Sequence, residues 1–415
     1  MRPYSWAKYW SLAGHNVAVL TVSKPNRDED SPMSFDGFEV VELPIPFFSW
    51  LQNKVVREIV PPQSARSNTY ARTLKSKAWQ WCASRFGAIQ KKYGCFSGCR
   101  MPDWRDLWVP SALKFARSER WDLVVSTAGP YSVHYVAYRL RSCGLANKWI
   151  ADWRDLWTDN HIYPGLPFFR SAEAFLERRW SSCADIITTV SEPLAELLRH
   201  KYGSKVRVVC NGFDQDEYKY LPSERVFSSD GIFRIVYTGS IYEKKQNPVP
   251  LFEAIANIYS ANPHIINSLR VVLVGHNANI KNLADSIGVG NFVEYQGFVT
   301  RPVALRMQRD ADCLLFLDFD PSQFRGVLTG KIFEYLVAGP PIISIGFGLD
   351  PVVNNVILDA QRGFILGSDV AKIQDCLLSM MERRGKHRTM NNCIFDMQKY
   401  SRASMAERMI EFVNE

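Results

Sequence analysis

The chain has 415 residues, of which 47% are hydrophobic and 22% charged, with 24 glycines and 22 prolines. This length and composition exclude a collagen-like, disordered or disulfide-scaffolded protein and predict two domains, or three. Fifty Lys and Arg residues against 42 Asp and Glu residues give a net charge of +8, which favours anionic partners without choosing between phosphates, nucleic acid and acidic lipids.

The sequence contains no run of about 18 apolar residues, the length that a membrane-spanning helix needs. Its first residues, MRPYSWAKYW, show none of the separate charged, apolar and cleavage regions of a signal peptide. Nine cysteines without paired CxxC sets predict mainly buried free thiols in a reducing compartment, with a metal or redox role left open for Cys95 and Cys99. We therefore expect a cytoplasmic protein.

The first predicted element is a helix, SWAKYWSLAGH, which ends near Gly14. A Rossmann-like domain normally opens with a strand and a glycine-rich turn. We therefore expect an N-terminal domain that lacks its first strand, or whose first strand lies upstream. A loosely held leader over residues 1–13 is the alternative.

Ten short apolar runs, each followed by a turn residue and a stretch of helical spacing, predict parallel strands. Because the runs are continuous rather than alternating, helices should cover both faces of each sheet. The fold class is therefore α/β. Five runs lie in each half of the chain: residues 17–22, 122–126, 148–152, 185–190 and 206–210, then 233–239, 270–275, 292–297, 312–318 and 341–345.

This arrangement predicts two Rossmann-like domains that face each other across a cleft. We expect an N-terminal acceptor domain at 1–210, a linker at 211–230 and a C-terminal nucleotide-sugar domain at 231–395, followed at 396–415 by a helix that could pack back on the N-terminal domain. Ligands of such sheets bind at the carboxyl ends of the strands, so the cleft is the expected active site.

Residues 51–120 interrupt the strand pattern and hold 14 basic and 4 acidic residues, together with Trp79, Trp81, Trp104 and Trp108. We expect an insertion that contributes to acceptor specificity and docks on an anionic membrane surface. Alternating aromatic and cationic residues also occur in nucleic-acid binders, but no nucleic-acid module accompanies them here, and we expect no such partner. The hexapeptide DWRDLW occurs at 103–108 and 152–157 in unrelated contexts, so a structural repeat is not indicated.

The stretch YTGSIYEKKQNP at 237–248 reads as a strand end with Gly239 and Ser240, followed by the basic pair Lys244 and Lys245. Glycine permits close approach of the backbone to a ligand, and lysines can neutralise a diphosphate. An ordinary strand–turn–helix connection is the alternative.

The stretch LTGKIFEYLVAGPPII at 328–343 predicts a helix that begins at Thr329 and Gly330. Free backbone amides and the positive end of the helix dipole make such a start an anion site, and Thr329 could cap the helix. Lys331 and Glu334 are three residues apart, which would place an ammonium near a diphosphate and a carboxylate near ribose hydroxyls. A solvent-facing Lys–Glu pair is the alternative.

Together with CNGFD at 210–214, these motifs resemble the retaining glycosyltransferases of family four, which have the GT-B fold of two Rossmann-like domains. The motifs VSTAGPYSVHYVAYRL at 125–140 and WIADWRDLW at 149–157 are similar to a subgroup of bacterial surface-polysaccharide transferases. The resemblance implies transfer of a sugar, with retention of its anomeric configuration, from a nucleotide diphosphate to a hydroxyl of a glycan, which we expect to be lipid-linked. It implies no metal ion and no cofactor, and it would place the protein at the inner face of the plasma membrane.

The resemblance also implies roles for individual residues. Glu334 matches the ribose-binding glutamate, Lys245 or Lys244 the basic residue at the donor phosphates, Gly239 and Ser240 the phosphate-side turn, and Phe298 the base-reading loop. Donor-binding roles extend to Thr329, Gly330 and Lys331. The catalytic candidates are Lys245 and three residues at the N-terminal lip of the cleft, Asp152, Arg154 and Asp155, and His134 is a candidate for contact with the acceptor.

Two departures from the family pattern leave other functions open. The first of the family's paired glutamates would fall at Gly326, and the first strand with its glycine-rich loop is missing. The alternatives are a catalytically inactive glycosyltransferase-like binding subunit and a sugar-nucleotide epimerase of the same fold. A third alternative concerns metal: Asp318 and Asp320 in DFD follow an apolar strand and could chelate a divalent cation.

Overall fold

The computed structural model describes residues 2–23, 37–45, 77–160, 162–242, 245–320, 326–347, 351–384 and 397–415. Every strand pair within these ranges is parallel. Strands alternate with helices along the chain, and the strands form separate sheets in the two halves. The predicted α/β fold with two Rossmann-like domains is confirmed.

The N-terminal domain is built on a four-stranded sheet with strand order β3-β4-β5-β6. A separate parallel pair, β1 and β2, packs with α3 and α4 in one hydrophobic cluster around Trp108 and Leu140. The elements are α1 (Arg2–Leu12), β1 (Ala18–Val22), β2 (Glu39–Leu43), α2 (Lys77–Tyr93), α3 (Val109–Ala116), β3 (Trp121–Thr127), α4 (Ser132–Ser142), β4 (Ala146–Trp153), α5 (Arg170–Ser181), β5 (Ile186–Thr189), α6 (Glu192–Tyr202) and β6 (Val206–Val208).

The C-terminal domain is built on a six-stranded sheet with strand order β12-β11-β10-β7-β8-β9. Its elements, after the short linker helix α7 (Gln215–Lys219), are β7 (Phe233–Thr238), α8 (Val249–Ala261), β8 (Leu269–Val274), α9 (Ala278–Ile287), β9 (Val293–Gly297), α10 (Arg301–Asp310), β10 (Cys313–Asp318), α11 (Gly330–Ala338), β11 (Ile342–Gly346), α12 (Pro351–Asp359), β12 (Gly363–Gly367), α13 (Val370–Glu382) and α14 (Arg402–Asn414).

The six-stranded sheet is covered on both faces. All residues of β7, β10 and β11 are buried. Ile235 and Tyr237 of β7 pack with α8, α9 and α13, whereas Val236 between them packs with α11 and α12 on the other face. Continuous apolar runs therefore form central strands here, as the sequence predicted.

The ten predicted strands are present, and two further strands were missed. Residues of β2 are mostly exposed, and the sequence EVVEL has an acidic residue on each side of its apolar centre. β12 is GFILG, a short edge strand between two glycines. Short edge strands carry little of the apolar periodicity on which the prediction rested.

Helix α14, near the end of the chain, packs against α1 and the N-terminal sheet rather than against the C-terminal sheet. Its Met405 and Met409 share a buried cluster with Trp6 of α1 and Ile150 of β4. The segment before α14 packs closely on the linker at Gly212. A Cβ added to this glycine would lie 2.4 Å from the Tyr400 carbonyl oxygen. Within the described residues, no helix has the length and apolar character needed to span a bilayer.

Candidate active site

A glycine turn at the carboxyl end of β7 forms the centre of the predicted donor site. Gly239 has φ +109, in the left-handed region that favours glycine. A Cβ at Gly239 would lie 3.2 Å from Lys331 Nζ, and a Cβ at Gly275 would lie 2.7 Å from the Gly239 carbonyl oxygen. Gly239 and Ser240 are both exposed. The turn therefore exposes its backbone atoms to a ligand beside the ammonium group of Lys331 on α11.

Lys331 is half-buried and has no acidic partner at ion-pair distance among the described residues. Its Nζ lies 3.8 Å from the centroid of the Tyr237 ring, a cation–π contact. Burial lowers the pKa of Lys331 to about 7, and only the charge of Glu334 opposes this effect. An ammonium that is desolvated without a paired anion is suited to receive the anion of a ligand.

The start of α11 lies next to Lys331. Thr329 is its N-cap, with φ −75 and ψ 151, but its Oγ1 makes no capping hydrogen bond. That oxygen is buried and has no partner within the described part of the chain. The prediction that Thr329 caps its own helix is therefore wrong, because the hydroxyl does not reach the backbone amides of α11. The amides at Gly330 and beyond keep their capacity to bind an anion.

Glu334, one turn further along α11, is held by side chains of α10. Its Oε1 accepts a hydrogen bond of 3.0 Å from Arg301, and its Oε2 accepts one of 3.4 Å from Gln308. The alternative of a solvent-facing Lys331–Glu334 pair does not describe this arrangement, because each side chain has its own partner on another element.

A cavity of 330 Å³ lies between the two domains, where this part of α11 faces the N-terminal domain. The C-terminal domain contributes Gly330, Glu334 and Arg301 to its lining, and the N-terminal domain contributes Arg2 and Arg154. The linker and α14 complete the lining with Asn211, Gly212, Arg402 and Met405 among others. Basic residues of both domains thus meet in the predicted cleft.

The other predicted donor residues lie at the same edge of the six-stranded sheet. Burial lowers the pKa of Lys245, whose carbonyl oxygen accepts a hydrogen bond of 3.2 Å from the amide of Asp320. Lys244 lies outside the described residues. Phe298, after β9, is 79% exposed, and its ring stacks with His276 at a centroid distance of 6.3 Å. An exposed aromatic face of this kind can stack on a nucleobase.

Asp152 lies at the end of β4 but is not available to a substrate. Its side chain is completely buried, and it forms an ion pair of 2.9 Å with Arg2, the first residue of α1. Its carboxylate also accepts hydrogen bonds from Thr127 at 2.8 Å and Thr188 at 2.9 Å. The catalytic role predicted for Asp152 is therefore corrected, because all of these partners occupy its oxygens inside the protein.

Arg154 and Asp155, the next polar residues after β4, are both exposed. Arg154 donates a hydrogen bond of 2.9 Å to the carbonyl oxygen of Ala128 and lines the cavity between the domains. A strand end on a parallel sheet points into such a cleft. Of the three residues predicted for the N-terminal lip, these two are exposed, and Arg154 lines the cavity.

His134 is completely buried in α4 rather than at the cleft. Its Nδ1 lies 2.8 Å from Ser126 Oγ, and its ring stacks on Trp153 at a centroid distance of 5.3 Å. Burial lowers its pKa to about 4, although the charge of Asp152 has the opposite effect. The prediction that His134 contacts the acceptor is corrected, since the histidine belongs to the aromatic core of the N-terminal domain.

Gly326, where the family pattern places a first glutamate, contacts the N-terminal domain directly. It has φ +82, and a Cβ there would lie 2.8 Å from the Pro193 Cβ. Its carbonyl oxygen accepts a hydrogen bond of 2.6 Å from Ser191. A contact between domains therefore occupies the place where the missing carboxylate would stand.

The described residues offer no cluster of three or more His, Cys, Asp or Glu side chains that could hold a metal ion. The Asp318 carboxylate of the DFD motif is buried and accepts a hydrogen bond of 2.7 Å from Ser344. Cys95 and Cys99 are free thiols, one buried and one half-buried, and burial raises the pKa of each.

The described part of the predicted basic insertion carries an aromatic cluster, formed by the exposed Phe86 and Trp104 and the half-buried Phe96. Ring centroids lie 5.3 Å apart for Phe86 and Phe96 and 4.7 Å apart for Phe96 and Trp104. Lys91 and Lys92 on the same helix, α2, are exposed. Residues 46–76 and the side chains of Trp79 and Trp81 lie outside the description.

The sequence analysis missed four residues of the site: Arg2, Arg301, Gln308 and Arg402. The three arginines shared a usable signal, because each is the first residue of a helix, where the helix dipole opposes a cation and favours an anionic partner nearby. Gln308 left no such signal, because it lies far in sequence from the motif that it contacts.

Two family models match the chain. Residues 2–212 match the glycosyl transferase 4-like domain, and residues 232–383 match the glycosyl transferases group 1. No curated protein sequence matches the chain significantly.

Solved structures with similar folds cover nearly the whole chain. Sucrose-phosphate synthase from Thermosynechococcus elongatus is 13% identical, with a TM-score of 0.55 over 99% of this chain and 91% of that chain. A structure described as trehalose-6-phosphate from E. coli bound with UDP-2-fluoro glucose is 12% identical, with a TM-score of 0.58 over 98% and 94%. WaaG, a glycosyltransferase involved in lipopolysaccharide biosynthesis, is 14% identical, with a TM-score of 0.50 over 99% and 90%.

Proposed function

The chain belongs to the glycosyl transferase 4-like family and is a glycosyltransferase of the GT-B fold, and from this premise we propose that it uses a nucleotide-diphosphate sugar as donor. In this proposal the sugar is transferred with retention of its anomeric configuration to a hydroxyl of a lipid-linked glycan. The product belongs to surface-polysaccharide biosynthesis.

The observation that supports the donor proposal best is the ammonium of Lys331. It lies against the Gly239 turn and beside the free amides of α11, and no acidic residue of the described chain pairs with it. A diphosphate placed there would meet a desolvated cation, a helix N-terminus and the exposed turn at once. Glu334 would accept hydrogen bonds from the ribose, and Phe298 would stack on the base.

In the proposed mechanism the protein stabilises the leaving diphosphate more than it supplies a nucleophile. Lys331, Lys245 and the start of α11 would attract the negative charge that develops on the diphosphate as the glycosidic bond breaks. Arg154 and Asp155, at the N-terminal lip, would orient the acceptor hydroxyl. The proposal includes no metal ion or cofactor.

A direct experiment is donor binding and hydrolysis by the purified protein, measured with a panel of nucleotide sugars. We expect binding and slow hydrolysis of one donor, with binding weakened and hydrolysis lost in Glu334→Ala. Absence of nucleotide binding by the wild-type chain would contradict the enzyme proposal. Binding without hydrolysis or transfer would favour the inactive binding subunit, for which the contact at Gly326 is the motivating observation.

The acceptor part of the proposal places the protein at the cytoplasmic face of a membrane, where lipid-linked glycans are accessible. Exposed Phe86 and Trp104 beside Lys91 and Lys92 combine apolar side chains with positive charge. Such a surface suits the headgroup region of an anionic bilayer. We do not propose a nucleic-acid partner.

A further inference from the structure

Arg301 is the first residue of α10 and lies beside Glu334. Its guanidinium donates two hydrogen bonds to Glu217, of 2.6 Å from Nε and 2.7 Å from Nη2. The same Nη2 donates a third, of 3.0 Å, to Glu334 Oε1. Burial lowers the pKa of Arg301, but the two carboxylates outweigh this effect and leave the pKa raised.

Glu217 belongs to the linker helix α7, and this helix holds Glu334 in a second way. The hydroxyl of Tyr218, the next residue of the linker, donates a hydrogen bond of 3.0 Å to the backbone carbonyl of Glu334. The linker therefore fixes the backbone of Glu334 directly and its carboxylate through Arg301. With Gln308 on Oε2, each carboxylate oxygen has a donor from α10.

A carboxylate offers about four lone-pair positions for hydrogen bonds. The two donors on α10 leave the remaining positions of Glu334 for a ligand in the cavity that it lines. The bidentate pair with Glu217 fixes the orientation of the Arg301 guanidinium more strictly than a single point charge would, and the fixed guanidinium donates one hydrogen bond to Glu334. The arrangement thus selects one rotamer of Glu334 before any nucleotide binds.

We propose that Arg301 is a positioning residue for nucleotide recognition, itself held by Glu217, and that the linker helix thereby sets how well the site distinguishes ribose. This inference rests on the proposed function, in which Glu334 accepts hydrogen bonds from the ribose hydroxyls. It adds the expectation that ribose recognition depends on a residue outside the C-terminal sheet.

The experiment compares dissociation constants for UDP, GDP, CDP and ADP with those for the 2′,3′-dideoxy forms of the same nucleotides. UDP is included because the similar E. coli structure holds a UDP-sugar. We expect the wild type to prefer the ribose form of the nucleotide it binds. Arg301→Met and Glu217→Gln should each reduce this preference by roughly tenfold or more, the value of a charge-assisted hydrogen bond, and leave the affinity for the dideoxy form nearly unchanged.

The matched control is Arg306→Ala, on the same helix, because Arg306 donates to the carbonyl oxygen of Glu224 and to no carboxylate of the described residues. This variant should keep the wild-type preference. Arg301→Lys, which retains the charge without the bidentate geometry, should fall between wild type and Arg301→Met. Circular dichroism confirms that each variant is folded.

The outcomes separate the two proposals. If the wild type binds none of the nucleotides, the proposed function fails, and this inference fails with it. If Glu334→Ala loses the preference for ribose while Arg301→Met and Glu217→Gln keep it, only the positioning role is overturned. It is also overturned if both variants weaken the ribose and dideoxy forms equally, because a general loss of structure would have that effect.

Discussion

The hydroxyl of Ser191 in the N-terminal domain donates a buried hydrogen bond of 2.6 Å to the carbonyl oxygen of Gly326 in the C-terminal domain. Ser191 precedes α6 as its N-cap but makes no capping bond within that helix. The hydroxyl is committed to the opposite domain instead. The bond joins the loop before α11, and with it the predicted phosphate site, to the N-terminal sheet.

Gly326→Glu, which would insert the carboxylate that the family pattern expects, should reduce activity rather than increase it. Any side chain there meets Pro193 Cβ at 2.8 Å and adopts φ +82, a conformation that costs roughly 1–2 kcal/mol outside glycine. We expect a lower melting temperature and a higher KM for the donor. Ser191→Ala is the milder comparison and should lose about 1 kcal/mol of unfolding free energy. Higher activity of Gly326→Glu would show that the domains can separate here without loss.

The Arg2–Asp152 ion pair should contribute to stability rather than to chemistry. Arg2→Met leaves a buried carboxylate without its counter-charge and should lower the unfolding free energy by about 3–5 kcal/mol. The double variant Arg2→Met/Asp152→Asn removes both charges and should recover part of that loss. Chemical denaturation of the two single variants and the double variant measures the coupling. A stable, inactive Asp152→Asn would instead restore a catalytic role for this residue.

Nucleotide binding should weaken as the pH rises above neutrality, because Lys331 must be protonated to attract a diphosphate. Its pKa in the free protein is about 7, and a bound anion raises it. The apparent dissociation constant should therefore rise with pH, by up to about tenfold per unit, until another group intervenes. Calorimetry in buffers of different ionisation enthalpy should detect proton uptake on binding at pH 8.

Lys331→Met is the control for this pH dependence and should show weak binding with neither the pH slope nor the proton uptake. The lowered pKa of Lys331 also makes the stability of the ligand-free protein depend on pH. The unfolded lysine has the higher pKa and binds more protons than the folded one between pH 7 and 10.5, so this residue makes folding more favourable as the pH rises through that window. A pH slope that persists in the Met variant would assign it to another residue.

Lys245→Ala should slow transfer more than it weakens donor binding, if Lys245 stabilises the leaving diphosphate. Loss of one such charge costs roughly 2–4 kcal/mol of transition-state stabilisation, which is about 30- to 1000-fold in kcat. Lys372, an exposed lysine on α13 that pairs with Asp369, offers a matched control that should keep full activity as Lys372→Ala. Equal rates for the two variants would remove Lys245 from the mechanism.

Association with anionic vesicles should depend on the exposed lysines of α2. Lys91→Glu/Lys92→Glu should reduce co-sedimentation with phosphatidylglycerol vesicles by roughly tenfold or more, at about 1 kcal/mol for each charge removed. The control reverses two exposed lysines of the C-terminal domain, Lys281→Glu/Lys372→Glu. It changes the net charge of the protein by the same amount as the α2 variant and should have little effect on co-sedimentation. The membrane proposal fails if both pairs behave alike or if neutral vesicles bind equally well.

The sequence predicted the α/β architecture because that architecture depends on local patterns, and the C-terminal candidate residues were chosen from motifs of the same local kind. Apolar runs of five or six residues identify central strands, and Lys331 and Glu334 lie within one helix, of which Thr329 is the N-cap residue. The N-terminal lip was predicted less well. From the sequence, Asp152 is predicted to be an accessible residue at a strand end. In the structure Arg2, 150 positions earlier in the chain, covers its carboxylate. The burial of Asp152 results from contacts between residues distant in sequence, and the spacing of residues within one segment cannot predict such contacts.

The positions of α1 and α14 have a consequence for how the molecule is made. The apolar face of the N-terminal sheet around Ile150 is covered by Trp6, near one end of the described chain, and by Met405 and Met409, near the other. Translation adds Met405 and Met409 about 400 residues after Trp6, so the nascent N-terminal domain exposes the part of this face that α14 later covers. A fragment cut after residue 212 would keep that exposed face, and its poor solubility would reveal that the unit of folding is larger than the unit of sequence similarity.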